Sequence, residues 1–167
     1  MAITFTDREM QRAWRENSSA YHNHNRVRTN AHRLLLFYAV ECGLKAVLMK
    51  RKNVSRTDLC PEILKYGHDI NDINELLEGL YPGNNSLQMW KLPEQLFIQD
   101  IQDNSHVKIK QERQLTPDNI NQIWRYGGKF ILKKDESENK REKITDKDIE
   151  EKLLNIVELI KKELQGL

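Results

Sequence analysis

The chain has 167 residues, 38% of them hydrophobic, with 27 Lys and Arg against 25 Asp and Glu and a formal charge of +2. That length fits a single domain over residues 1–167 with a core large enough to stand without disulfides. The near-balance of charge excludes the chain-wide basic field of a non-specific nucleic-acid binder, so any polyanion site must be a local patch. The longest apolar run, Leu34 to Val40, is far short of the roughly 20 residues of a membrane span. MAITFTDREM holds no signal-peptide core, so the expected setting is soluble and cytoplasmic, with no membrane partner.

In chain order, Thr6 followed by Glu9 has the spacing of a capping box and predicts a helix to about Tyr21, with a thin apolar face of Met10, Ala13, Trp14 and Tyr21. From Val27 to Lys50 there is no Pro and one Gly, Gly43, and LLLFYAVECGLKAVLMK is apolar almost all round. Such a helix belongs at the centre of a bundle. After a polar stretch with Ser55, Asp58 and Pro61, the spacing of Ile70, Ile73, Leu76, Leu77 and Leu80 predicts a helix over Asp69 to Leu80, stopped by YPGNN. The pattern weakens from Ser86 to Leu115, where Val107-Lys108-Ile109 alternates like a short extended piece. Thr116-Pro117 then reads as an N-cap with Pro at the first helical position, leading through Ile120, Ile123 and Trp124 to a stop at Gly127-Gly128. A charged loop over 133–144 follows. Thr145 with Asp148 opens a last helix whose Ile149, Leu153, Ile156, Ile160 and Leu164 repeat at helical spacing. The fold expected is all-α, an up-and-down bundle of four to six helices with short connections between antiparallel neighbours.

Two places carry chemistry. Glu41 and Lys45 lie four apart on the apolar central helix and share a face. A carboxylate there must reach a rim or pair internally, as a structural ion pair or as part of a site. The second is HNHNRVRTNAHR, which brings Arg26, Arg28 and Arg33 into eight residues. On a helix Arg26 and Arg33 are two turns apart, with Thr29 and Asn30 between them, a set of donors suited to phosphate and base edges.

Among the five histidines, His22 and His24 stand two apart with no acidic or Cys partner at ligand spacing, and Cys42 and Cys60 have no CxxC pattern. No metal and no cofactor is therefore expected, and both cysteines read as buried thiols. His68, ahead of Asp69, reads as a cap or a hydrogen-bonding residue. Phosphate-loop, dinucleotide, zincin and hydrolase-elbow motifs do not occur in the chain.

The words AHRLLLFYAVECGLKAVLMK, then Gly67-His68-Asp69-Ile70 opening a Leu-rich helix, then Trp124-Arg125-Tyr126, then a charged loop and an amphipathic terminal helix, resemble the HEPN superfamily over roughly residues 25 to 165. The resemblance implies a dimeric helical bundle from toxin-antitoxin or antiviral defence systems, binding RNA or a nucleotide. Many members of that family are metal-independent endoribonucleases with an Arg-x4-6-His motif on a late helix, at a site formed where two protomers meet. Here the last histidine is His106, so the terminal helix carries no such motif. The spacing occurs earlier, in Arg26 with His32 and, as a weaker pair, in Arg15 with His22. In a ribonuclease His32 would move the proton and Arg26 would hold the phosphate.

The leading expectation is a HEPN-like protein that binds RNA or a nucleotide through Arg28, Asn30, Arg33, Glu41, Lys45 and Arg125, as a homodimer or with a partner protein. A ribonuclease using Arg26 and His32, and a non-catalytic structural adaptor, are the alternatives.

Overall fold

A computed structural model describes residues 3–23, 27–73, 75, 91–101, 111–130 and 144–166. In chain order the helices are α1 (Asp7–His22), α2 (Asn30–Lys52), α3 (Pro61–Tyr66), α4 (helical at 70–73 and 75), α5 (Ile120–Arg125) and α6 (Asp146–Gln165). The architecture is the all-α bundle that the periodicity predicts. One antiparallel hairpin, β1 (Leu96–Ile101) with β2 (Gln111–Leu115), is appended to it.

The caps at both ends of the chain form as the spacing requires. The Thr6 amide donates to Glu9 Oε2 at 2.7 Å and the Glu9 amide to Thr6 Oγ1 at 3.3 Å. Thr145 and Asp148 repeat the arrangement at 2.7 and 3.3 Å. Each box satisfies two amides that the first helical turn leaves without partners.

The core is built around α2, whose residues Leu36, Phe37, Val40, Leu44 and Leu48 are fully buried. α1 covers it with Trp14 and Tyr21, and α6 with Ile149, Leu153, Ile156, Val157 and Ile160. At Gly43 side chains of α1 and α6 press directly onto the backbone of α2. A Cβ there would stand 2.7 Å from Ile160 Cδ1 and 2.8 Å from Trp14 Cδ1. α2 ends at Asn53 in the left-handed region, φ 53°, a conformation Asn tolerates better than most side chains.

Three differences from the sequence reading have physical causes. α2 begins at Asn30 rather than Val27, because Thr29 is its N-cap and His32 takes the carboxylate's place in a capping box, Nδ1 accepting from the Thr29 amide at 3.1 Å. The stretch around Ser55, Asp58 and Pro61 contains a 3-10 turn, Thr57–Leu59, and the short helix α3, which opens on Pro61. The hairpin pairs Leu96 with Leu115 and Ile98 with Arg113, and only Leu96 and Ile98 of those four are buried. β2 reads QERQL, with no apolar alternation, so the pairing supplies what the periodicity does not show. Asn71, buried on α4, anchors the chain before β1: its amide donates to the Leu92 carbonyl at 2.8 Å and its Oδ1 accepts from the Leu92 amide at 2.8 Å.

The expected continuation of α4 to Leu80, the extended piece at Val107-Lys108-Ile109 and most of the 133–144 loop lie outside the described residues. Among those described, no helix is long and apolar enough to cross a membrane.

Candidate functional site

The arginine-rich segment enters α2 next to the buried face of α6, and one carboxylate organises it. Glu150 is only 7% exposed. Its Oε1 accepts from the Tyr21 hydroxyl, and its Oε2 from Arg33 Nε at 3.1 Å. Arg28 Nη1 approaches Oε1 at 3.5 Å, and its guanidinium lies over the Tyr21 ring, 4.1 Å from the centroid, in cation–π geometry. Burial first, then the hydrogen bond to Glu150, pushes the Tyr21 hydroxyl far above its ordinary range, so it stays a donor. Two guanidiniums share a single carboxylate, which leaves this cluster with a net charge of about +1.

The cluster continues along α2. Arg33 Nη1 donates to Asn30 Oδ1 at 3.0 Å, and Asn30 Nδ2 donates to the Gly128 carbonyl at 2.8 Å. Those contacts lay the turn after α5 against α2, and at its other end Arg125 donates to the Tyr38 hydroxyl. Arg125 and Lys129 are exposed. Asn30 and Tyr38 are eight residues apart, about 12 Å along a helix. The turn after α5 therefore runs along α2 from Asn30 to Tyr38, with Arg125 held at the far end from Arg28 and Arg33.

The predicted site residues thus separate into groups. Arg28, Asn30 and Arg33 come together at the entrance to α2, and Arg125 is held further along the helix at Tyr38. His32 is half-buried at the first turn of α2 and holds the cap with Nδ1. Arg26 and His24 lie outside the described residues. Because 27–29 precede α2, a shared helical face for Arg26 and Arg33 does not follow from their spacing. Arg15 and His22 are both exposed on α1, two turns or about 10 Å apart along its axis, and His22 Nδ1 pairs with the Ser18 carbonyl at 2.7 Å.

Glu41 and Lys45 are elsewhere, on the part of α2 that faces α1 and α3. Lys45 Nζ donates to Glu41 Oε1 at 2.5 Å, with both side chains at least nine-tenths buried. The second carboxylate oxygen, Oε2, pairs with His68 Nδ1 at 2.9 Å. Two of the sequence words singled out above, the one in α2 and Gly67-His68-Asp69-Ile70, therefore meet at this carboxylate. His68 is not the cap of α4. That part falls to Asp69, whose Oδ1 accepts from the Asn71 and Asp72 amides at 2.9 and 3.2 Å. Cys60 is buried and Cys42 is half-buried rather than fully enclosed. Burial, then the Glu41 charge, pushes the Cys42 thiol up to about 11, so it is uncharged at neutral pH.

Sequence reasoning missed Glu150, and the signal was present. Glu150 is three residues before Leu153 and seven before Val157, so it lies in phase with the buried stripe of α6. An acidic residue in that phase needs a cationic partner, and the only question was where the partner came from.

Comparison with family models, with curated proteins and with solved structures returns no match.

Proposed function

We propose that this chain binds RNA or a nucleotide, as a HEPN-like domain of a bacterial-type defence or toxin-antitoxin system, working as a homodimer or with a partner protein. The observation that supports this reading is the charge imbalance at the entrance to α2. Arg28 and Arg33 converge on one carboxylate, and Arg28 keeps 37% of its side chain exposed at a long 3.5 Å contact. A phosphate oxygen completes such a cluster, because it accepts the guanidinium donors that Glu150 leaves unsaturated. Asn30 adds a planar amide there, and Arg125 a further cation about 12 Å along α2. The HEPN resemblance, carried by the sequence words, supplies the choice of nucleic acid over other anions.

The test is a fluorescence-anisotropy titration of a labelled single-stranded RNA against salt. Each phosphate contact contributes a slope of about −0.7 in log affinity against log salt for single strands. Three arginines at the site give a slope near −2, and Arg28→Ala or Arg125→Ala each flattens it by roughly 0.7. Binding that is absent at low salt, or that ignores both substitutions, refutes the proposal. Running the same samples on a denaturing gel in EDTA separates binding from the ribonuclease alternative. Cleavage lost on His32→Ala, with helix content unchanged, favours the enzyme.

A further inference from the structure

A second feature, independent of the arginine cluster, lies further along α2, at Glu41 and Lys45. The segment ahead of α1 is strapped to the turn before α3: the Thr57 amide donates to the Phe5 carbonyl at 2.9 Å, the Phe5 amide to Thr57 Oγ1 at 3.0 Å, and the Asp7 amide to the Ser55 carbonyl at 3.0 Å. Beneath that strap is a cavity of about 560 Å³. Its walls are apolar, contributed by Ile3, Phe5, Met10, Ala13, Ile63 and Leu64. Glu41, Lys45 and His68 also line it. Glu9 at the rim is already held by Thr6. The volume and the apolar walls with a few convergent polar groups are those of a small-molecule site.

The polar groups define the head of the ligand. Glu41 and Lys45 neutralise one another, so a ligand carboxylate would stand against Glu41 and a ligand ammonium against Lys45, each adding an uncompensated charge beside a pair that is itself nine-tenths buried at the base of an open apolar groove. Hydrogen-bonding capacity nevertheless remains. Lys45 has three N–H donors and gives one to Glu41, with no other acceptor among the described residues. His68 turns Nδ1 to Glu41, which in the neutral ring leaves Nε2 as an acceptor. A carboxamide joins an acceptor for Lys45 and a donor for His68 on separate atoms of one uncharged group. We propose that this cavity binds small uncharged amides with an apolar body, the carbonyl oxygen on Lys45 and the N–H on His68.

Three molecules of equal length test this by isothermal titration calorimetry at neutral pH: 4-phenylbutanamide, 4-phenylbutanoate and 4-phenylbutylamine. The amide is expected to bind one-to-one, at least tenfold more tightly than either charged analogue. Ala13→Phe fills the cavity and abolishes binding. Because that substitution sits between helices, Leu64→Asp, at a side chain 54% exposed, provides a second variant that leaves the core untouched and weakens the amide at least fivefold. The proposal is overturned if the amide shows no saturable binding. It is equally overturned if the acid or the amine binds as tightly as the amide, or if folded Ala13→Phe or Leu64→Asp protein binds the amide as wild type does.

Discussion

Replacing Glu150 with Gln removes the charge that ties three elements together while keeping the side chain's shape. Tyr21, Arg33 and Arg28 all aim donors at the two carboxylate oxygens. An amide offers one oxygen, so its NH2 must face a donor. Hydrogen bonds to a charged acceptor contribute about 1.5–3 kcal/mol each and neutral ones about 1, so the Tyr21 and Arg33 bonds together lose roughly 3 kcal/mol. Arg28 adds nothing to that sum, because a contact at 3.5 Å from a side chain 37% exposed is screened by water. For a domain of this size the loss lowers Tm by about 6–12 °C. Thermal and urea unfolding followed by circular dichroism measure it. Tyr21→Phe measured alone and in the Glu150→Gln background isolates the hydroxyl's share, which should shrink in the second case. The two sides of the argument also separate in RNA affinity. If Arg28 and Arg33 hold phosphate, Glu150→Gln tightens RNA binding at low salt even as it destabilises the fold. A Glu150→Gln protein whose stability stays within about 0.5 kcal/mol of wild type, the range of a neutral surface change, refutes the reading of Glu150 as the organising charge.

Two further outcomes follow from packing and capping. Gly43→Ala gains about 1 kcal/mol of helix propensity, yet its methyl meets Ile160 and Trp14 below 3 Å. Both neighbours are buried and overpacking costs about 1–3 kcal/mol, so urea unfolding should show net destabilisation, eased when Ile160→Val removes Cδ1. A raised Tm for Gly43→Ala contradicts the close approach. Asp148 has its carboxyl held below the ordinary range by hydrogen bonds from the Thr145 hydroxyl and then the Thr145 amide. A depressed folded pKa means stability that is present above the unfolded value, near about 4, and lost as pH falls through the folded one. Asp148→Asn should therefore flatten part of the acid limb of a stability–pH curve below about pH 4. It should cost under about 1 kcal/mol at neutral pH, since the group is only partly buried. An unchanged acid limb would mean the cap forms equally well with a neutral side chain.

Much of the frame is local and was readable in the sequence. Thr6 with Glu9 and Thr145 with Asp148 set two helix starts, because a capping box is completed within four residues. The apolar run of α2 and the stripe of α6 set which surfaces are buried, because helical period is a property of the strand of residues itself. The pairing of Glu41 with Lys45 was legible for the same reason, one turn apart on one helix. What could not be read was every partner brought from a distance. The hairpin's second strand has no apolar alternation and exists through its pairing with β1. Thr29 and His32 close the start of α2, a box in which an imidazole replaces the usual carboxylate. Arg28 and Arg33 are cations in search of a counter-charge whatever the fold. Only the packing of α6 against α2 decides that Glu150, more than a hundred residues later, supplies it, and only the strap from the segment ahead of α1 to the turn before α3 makes an internal ion pair part of the lining of a cavity. Short-range chemistry is written in the order of residues, whereas charge compensation and enclosed volume depend on which surfaces the hydrophobic core brings face to face.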